Sequence, residues 1–246
     1  MSLFATSLSA KSTPEEIRQR FDNDVERFSN LETGQVSTID APLALELIAQ
    51  AAVAATPAMR RILDIGCGAG NNSIKIVRAV ATNPDCDLLD LSGAMLTRAK
   101  ERVSRETTGK VSVFQGDFRL ASLPDNHYDV VVAAAVLHHL RDDADWFSVF
   151  DKIFRLLRPG GSFWLSDLVS HEIPALQSLM WRRYGDYLAT VGGPDYRDGV
   201  FASIDREDSP RPLTFQLDLL RRVGFTVVDA LHKNSCFAVF GGRKPS

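Results

Sequence analysis

The sequence is poor in the features that mark secreted, membrane-spanning and nucleic-acid-binding proteins. Its three cysteines, at positions 67, 86 and 236, form no Cys-x-x-Cys pair, so we expect neither a disulfide framework nor a structural zinc site. No apolar run reaches the ~18 residues that a membrane span needs, and residues 1–10 lack the basic and apolar regions of a secretory signal. Basic and acidic side chains number 28 and 31, and this balance argues against phosphate-backbone binding.

A cytoplasmic globular protein without a bound metal is therefore predicted. Apolar residues make up 45% of the 246 residues, which is ample for a packed core. At ~150 residues per domain, the length lies between one domain and two. The oligomeric state stays open, with a homodimer among the options.

From residue 61 onward, the apolar pattern alternates between strands and helices. Short apolar runs separated by helical periodicity predict five strands, at 62–65, 87–91, 111–114, 129–134 and 162–165. This alternation is typical of a parallel sheet covered by helices on both faces, so the fold class is α/β. Two further runs, at 225–231 and 235–240, are separated by only about three residues. That gap is too short for a crossover, so this pair is predicted to be antiparallel.

We interpret the chain as one domain with four parts. They are an N-terminal helical cap (1–57), an α/β core (58–170), an insert (171–212) and a C-terminal helix with a strand pair (213–246). In the cap, Thr13 and Pro14 begin a helix whose apolar residues 17, 21, 25 and 28 recur at helical spacing. A second helix is predicted to begin near residue 40.

A glycine cluster follows the first predicted strand. The segment Asp64–Gly70 has the spacing Gly-x-Gly-x-Gly, and Asn71 stands where the dinucleotide fingerprint Gly-x-Gly-x-x-Gly has its third glycine. Nucleotides bind at the carboxyl ends of strands in open α/β sheets, and glycines let the backbone approach them closely. Asp90 lies 24 residues beyond Gly66, at the end of the second strand, where a carboxylate can bind ribose hydroxyls. A tight turn followed by a helix-start carboxylate is the structural alternative.

Five short motifs succeed one another on the predicted strands and at their ends. They are Asp64–Gly70, Leu89–Ser92, Gly116–Phe118, Tyr128–Val131 and Leu157–Gly161. In this order they resemble the motifs of the class I S-adenosylmethionine-dependent methyltransferases, over residues of about 60–170. The resemblance implies a Rossmann-like, mostly parallel seven-stranded sheet with an antiparallel last strand. It also implies S-adenosyl-L-methionine as the cofactor and methyl transfer as the reaction.

The resemblance assigns one group of residues to the methionine part of the cofactor. Asp64 would line this part together with the loop that follows it. The loop residues concerned are Gly66, Cys67, Gly68 and Gly70. These assignments are expectations of the family likeness, because the spacing alone also suits a tight turn.

A second group is assigned to the adenosine part. Asp90 would hold the ribose hydroxyls, with Leu91 against the adenine. Asp117 would bind the adenine amino group, with Phe118 beside the ring, and the backbone of Ala134 would lie near the amino-acid moiety. Without the resemblance, Phe118 is interpreted as a core residue and Asp117 as a turn aspartate.

Two adjacent histidines are the candidate catalytic residues. Methyl transfer from a sulfonium has a neutral leaving group, so it depends on alignment and desolvation more than on acid–base chemistry. His138 and His139 follow the fourth strand, on the side to which the methyl group should point, and either could act as a general base. Their structural interpretation is histidines at a helix start that bond to solvent or to a carbonyl. His171 is a weaker candidate.

The insert 171–212 is the candidate substrate element, because long segments above a sheet often act as lids. It holds five arginines and no lysine, against seven acidic residues, a balance that does not suit an RNA groove. Five of its side chains could bind a planar or anionic small molecule by stacking and bidentate contacts. They are Trp181, Arg182, Arg183, Tyr184 and Arg197. Gly192–Pro194 and Pro210–Pro212 are candidate hinges, and a solvated helix is the alternative interpretation.

Two other functions stay open at this stage. The tail is similar to that of carboxy-S-adenosylmethionine synthases of tRNA wobble-uridine modification, although Gly68 and Ala134 depart from their Ser and Asn-like residues. A non-catalytic cofactor-binding subunit is the third interpretation. A nicotinamide dehydrogenase is disfavoured by Asn71. The leading prediction is a methyltransferase that acts on a small molecule, with no direct contact to nucleic acid or membrane.

Overall fold

The structure is a computed structural model that describes residues 6–30 and 35–246. Seven strands form one sheet: Arg61–Ile65 (β1), Asp85–Asp90 (β2), Val111–Gln115 (β3), Tyr128–Ala134 (β4), Leu157–Leu168 (β5), Val227–Asn234 (β6) and Phe237–Arg243 (β7). The helices are Pro14–Asp22 (α1), Val25–Ser29 (α2), Ala41–Ala55 (α3), Asn71–Ala79 (α4), Gly93–Val103 (α5), Asp143–Leu156 (α6), Pro174–Glu207 (α7) and Leu213–Val223 (α8).

The sheet has the order β3-β2-β1-β4-β5-β7-β6. Strands β1 to β5 pair in parallel, and β7 is antiparallel to both β5 and β6. The predicted α/β fold with an antiparallel end is therefore confirmed. The chain leaves β1 toward β2 on one side and returns to β4 on the other, which makes the carboxyl ends of β1 and β4 the topological switch point where ligands bind in such sheets.

Each face of the sheet carries its own core because successive strand residues point to opposite faces. Leu63 and Val131 pack with α6 and α8, whereas Ile62 and Val130 pack with α3, α4 and α5. Ile48 of α3 is fully buried in this second core. Helix α3 of the N-terminal region therefore packs on the sheet, whereas α1 and α2 lie outside this core.

Two predicted elements have different bounds in the structure. The helix predicted to run from residue 14 through residue 28 is two helices, α1 and α2, because Asn23 turns back and donates its side-chain N–H to the Gln19 carbonyl at 3.0 Å. Strand β5 begins at Leu157 and contains the glycines that were expected to precede it. Its pairing with β4 shifts between Tyr128 and Val130, and this bulge accommodates Gly160, whose φ is 76°.

Helix α7 fills most of the insert and is kinked at Gly193 (φ 82°, ψ 179°), which precedes Pro194. Its first half is anchored, because Tyr184 and Tyr187 each donate a hydroxyl hydrogen bond of 2.8 Å to a backbone carbonyl, of Ser37 and Val36 respectively. The kink therefore separates an anchored half from a half that ends at Glu207. Among residues 6–30 and 35–246, no helix is long and apolar enough to cross a membrane.

Candidate active site

A cavity of about 490 Å³ opens at the carboxyl ends of the central strands. The glycine loop after β1, Asp90 at the end of β2 and the histidine pair after β4 all line it. Helix α1 and the second half of α7 cover it, with Ile17 and Val200 among their contributions. Residues from distant parts of the sequence thus share one chamber at the switch point of the sheet.

Three glycines of the loop have positive φ, and each has a different role. A Cβ on Gly68 would meet no described protein atom within 4 Å, so this glycine faces open cavity. A Cβ on Gly66 would lie 2.2 Å from a Val136 methyl carbon, and one on Gly70 would lie 2.9 Å from a Val103 methyl carbon. Gly66 and Gly68 line the cavity, whereas Gly70 does not and instead permits close packing of helices α4 and α5.

Asp64 lies behind the loop and does not line the cavity. Its Oδ2 accepts hydrogen bonds from the Ser73 hydroxyl at 2.7 Å and from the Ser73 backbone N–H at 3.2 Å. Burial raises the pKa of the Asp64 carboxyl to about 7. The structure therefore places Asp64, which was assigned to the methionine part of the cofactor, outside the cavity lining, where it fixes the start of α4 to β1.

Asp90 is 9% exposed and faces the cavity from the end of β2. Its Oδ2 accepts the Gly68 N–H at 2.8 Å, and its Oδ1 accepts the Ser92 N–H at 2.9 Å. Burial raises the pKa of this carboxyl. A carboxylate has about four acceptor positions, so two remain for hydroxyl groups of a ligand, and Leu91 lines the cavity beside it.

Asp117 and Phe118 also line the cavity. Burial alone would raise the pKa of Asp117, but hydrogen bonds from Arg119, including one of 2.6 Å to Oδ2, lower it. The carboxylate is therefore charged and able to accept an amino group. Phe118 is largely buried, with the Lys152 ammonium 4.7 Å from its ring centre.

Cys67 and Ala134 complete this wall between the loop and β4. Burial raises the pKa of the Cys67 thiol well above its usual value, so the thiol is neutral and serves as an apolar contact. The wall as a whole offers an open backbone at Gly68, the Asp90 carboxylate for a diol, and the Asp117 carboxylate for an amine. These donors and acceptors fit S-adenosylmethionine.

The histidine pair after β4 contacts two acidic side chains from other parts of the chain. His138 Nδ1 hydrogen-bonds to Asp167 Oδ1 on the neighbouring strand β5. Asp208, directly after α7, places its Oδ1 3.0 Å from His139 Nδ1 and 3.7 Å from His138 Nε2. Ser209 donates its backbone N–H to the His138 carbonyl at 2.7 Å, which holds the end of α7 against the pair.

This cluster is charged and closed to solvent. Asp208 is 5% exposed and Asp167 is 2% exposed. Burial alone would lower the pKa of His138, but Asp208 and Asp167 outweigh it and raise this pKa to about 9. Burial would likewise raise the pKa of Asp208, but the two histidines lower it. The cluster therefore carries both signs of charge within the cavity wall.

Helix α1 is fastened to the last turn of α7 beside this cluster. Ser12 donates its backbone N–H to the Arg206 carbonyl at 2.9 Å, and Lys11 Nζ donates to the Asp205 carbonyl at 2.7 Å. Arg20 forms an ion pair of 2.6 Å with the buried Glu207. The two covers of the cavity are thus joined to each other.

The structure brings one of the five predicted substrate residues to the cavity. Tyr184 lines it, whereas Trp181 is buried in the core and stacks on Phe201 at 4.6 Å between ring centres. Arg182 and Arg183 are exposed and lie outside the lining. Arg197 pairs with Asp198 on the surface at 2.8 Å. These arginines therefore do not form an anion site in the cavity.

Apolar and aromatic side chains also line the cavity. Six of them are Ile17, Phe21, Tyr196, Val200, Ile204 and Phe237. Sequence reasoning missed them, together with Asp167 and Asp208, because they carry no local motif. Only the fold brings α1, the second half of α7 and β7 to one place.

Comparisons with known proteins agree with this geometry. Residues 62–161 match a family described as a methyltransferase domain. The demethylmenaquinone methyltransferase of Lactococcus lactis is 26% identical over 171 residues, which cover 68% of this chain and 66% of that protein. The chain spans between 26% and 54% of the length of the next curated relatives.

Solved structures with similar folds include two that cover nearly all of this chain. Human N-acetylserotonin methyltransferase in complex with SAM is similar with a TM-score of 0.59 and 16% identity, over 95% of this chain and 57% of that one. The [4+2]-cyclase SpnF has a TM-score of 0.65 and 16% identity, over 96% and 98% of the two chains. At this identity the likeness shows the fold and not the reaction. The family match and the curated relatives identify residues 62–161 as an S-adenosylmethionine-dependent methyltransferase domain, and the sheet has the class I fold.

Proposed function

We propose that the protein transfers the methyl group of S-adenosylmethionine to a small molecule with an apolar body. One observation carries this proposal: the cofactor-type wall, the buried histidine cluster and several apolar and aromatic side chains line the same cavity. The Lactococcus relative is named for methylation of demethylmenaquinone, and an apolar acceptor of that general kind suits aromatic and aliphatic lining residues. A lipid-like or aromatic acceptor with one acidic hydroxyl or carbon is the substrate class that fits.

When bound, S-adenosylmethionine supplies an electrophilic methyl group on a sulfonium. The chain's own residues hold the cofactor through Asp90 and Gly68 and exclude water with α1 and the second half of α7. The acceptor atom forms its new bond to the methyl carbon while the sulfur keeps the electrons of the broken bond. The acceptor would lose one proton to His139, because the raised pKa of His138 keeps that imidazole protonated and both histidines line the cavity.

The two halves of α7 are held by different parts of the chain, and this division supports a lid role for the insert. Tyr184 and Tyr187 hold the first half, and the second half carries Tyr196, Val200 and Ile204 into the cavity. Gly193 lies between the halves in a conformation that glycine adopts almost alone. Closure of the second half over an acceptor would desolvate the sulfonium.

Isotope transfer tests the proposal directly. The protein is incubated with S-adenosylmethionine that carries a trideuterated methyl group and with a panel of phenols and hydroquinones of increasing alkyl length. Mass spectrometry should detect a trideuteromethylated product together with S-adenosylhomocysteine, and the yield should rise with alkyl length. A carboxylated cofactor co-purifying with the protein would favour the carboxy-S-adenosylmethionine synthase alternative and overturn methyl transfer. A matched Asp90→Ala variant controls for reaction outside this site.

A further inference from the structure

We propose that His138, His139 and Asp208 form a binding site for one divalent transition-metal ion of the zinc and iron(II) class. The binding of the ion is independent of the proposed methyl transfer, and only its role in catalysis rests on that function. The three residues offer two imidazole nitrogens and one carboxylate oxygen that all lie within 4.8 Å of one another. Two histidines and one carboxylate with open positions beside a cavity are a recurrent ligand set for such ions.

The distances suit a shared ion. Ligand atoms that share one such ion at bond lengths of about 2.0–2.2 Å lie roughly 3–3.5 Å apart. Asp208 Oδ1 lies 3.0 Å from His139 Nδ1 and 3.7 Å from His138 Nε2. The carboxylate oxygen thus lies near the required separation from each imidazole, and all three atoms lie within 4.8 Å of one another.

Oδ1 of Asp208 lies at the centre of the site, where it faces the two imidazoles. Asp208 is 5% exposed, and this oxygen is buried. A buried carboxylate oxygen is stabilised by a cation, which can be a protonated imidazole or a bound metal ion. Because the same oxygen faces both imidazoles, an ion placed among the three atoms satisfies it.

Asp167 has the position of an outer-shell partner. It bonds to Nδ1 of His138, and Nε2 of the same ring faces Asp208; a bound ion would take the place of the proton on Nε2. Histidines that bind metals usually donate their other ring N–H to a carboxylate or carbonyl, which fixes the tautomer and the ring orientation. The bond from the Ser209 N–H to the His138 carbonyl holds Asp208, the third proposed ligand, beside the histidine pair.

Three protein ligands leave coordination positions open toward the cavity. An acceptor hydroxyl that binds there loses its proton more readily, because the ion stabilises the resulting oxyanion. The histidine pair would then act through the ion rather than as free bases. The methyl acceptor would then be a compound that binds the ion through an oxygen atom, such as a phenol or an enol.

Direct titration with Co²⁺, followed by competition with Zn²⁺, tests the site on untagged protein that has been stripped with a chelator. We expect one equivalent of Co²⁺ per chain, with visible absorption typical of nitrogen and oxygen ligands. His139→Ala and Asp208→Asn should weaken binding by about 100-fold or more, and Asp167→Asn by roughly 10–100-fold. His232→Ala is the matched control, because His232 bonds to Asp40 outside the cavity.

Circular dichroism of each variant establishes that it is folded, and His139→Gln replaces any variant that is not. Equal Co²⁺ binding by the parent and His139→Ala, or no binding by the parent, overturns the metal site. If the isotope assay still gives methylated product in that case, the proposed function stands and the histidines act directly. Metal binding without transfer to any acceptor supports the site and contradicts the proposed function.

Discussion

The Asp90 carboxylate accepts the backbone N–H of Gly68 at 2.8 Å. Asp90 at the end of β2 and Gly68 after β1 are therefore directly hydrogen-bonded, although they lie 22 positions apart in the sequence. The same carboxylate accepts the Ser92 N–H, so it joins the glycine loop to the start of α5. A ligand that bonds to Asp90 also meets the Gly68 backbone.

Replacement of Asp90 by alanine should weaken S-adenosylmethionine binding by about ten-fold or more, because hydrogen bonds to a charged acceptor contribute roughly 1.5–3 kcal/mol each. Isothermal titration calorimetry measures the affinity. Asp85→Ala, at the opposite end of the same strand, is the control and should bind as the parent does. Parent-like affinity in Asp90→Ala would place the acidic anchor elsewhere.

Gly68 and Gly70 should respond differently to side chains. Gly68→Val fills open cavity, so it should abolish cofactor binding in a protein that still unfolds cooperatively. Gly70→Ala places its Cβ 2.9 Å from Val103, so it should lower the free energy of unfolding, by about 1–3 kcal/mol. Calorimetry and urea unfolding on both variants separate the two effects, and an affinity loss confined to Gly70→Ala would reverse these roles.

Asp64 should make stability fall as the pH rises from about 4 to about 7. Its pKa is raised from 3.8 to about 7 in the folded protein, so between these values the unfolded chain is ionised while the folded chain holds the proton. The stabilisation is complete below the unfolded pKa and is lost as the pH passes through the folded pKa. Relative to Asp64→Asn, the parent should lose stability across this window and remain level above it. Urea unfolding at a series of pH values measures the difference, and parallel curves would contradict the buried-carboxyl explanation.

The acceptor specificity should lie in Tyr196 rather than in the arginines of the insert. Replacement of Arg182 and Arg183 together by alanine should leave kcat and KM within about two-fold, as for most surface changes. Tyr196→Ala should raise KM for an apolar acceptor by about ten-fold, because it removes an aromatic contact from the cavity. Steady-state kinetics with the best acceptor of the panel compares them. Loss of turnover in the double arginine variant would restore the anionic-substrate prediction.

The second half of α7 should behave as the mobile part of the lid. In the cofactor complex, we expect amide hydrogen exchange to be fast in residues 194–203 and slow in 174–190, where Tyr184 and Tyr187 are anchored. An acceptor should slow exchange in 194–203 only. Full protection of both halves without an acceptor would make the segment a static cover.

Site residues that belong to a local motif could be predicted from the sequence. Gly68 and Asp90 stand at the ends of strands that apolar patterning identifies, so their positions follow from the general geometry of parallel sheets. Asp208 could not be predicted as a site residue, because it lies 69 positions beyond His139 and a kinked helix comes between them. Arg182 and Arg183 were misplaced for a related reason: composition identified the insert, but which face of α7 meets the cavity depends on packing around Trp181 and Tyr184.

The bonds from Lys11, Ser12 and Arg20 join the region of α1 to the last turn of α7. Neither cover can move away from the cavity without breaking contacts that belong to the other, so the two covers are coupled. In the proposed enzyme, this coupling would make opening one event for cofactor and acceptor alike, and the frequency of that event would set an upper limit on kcat.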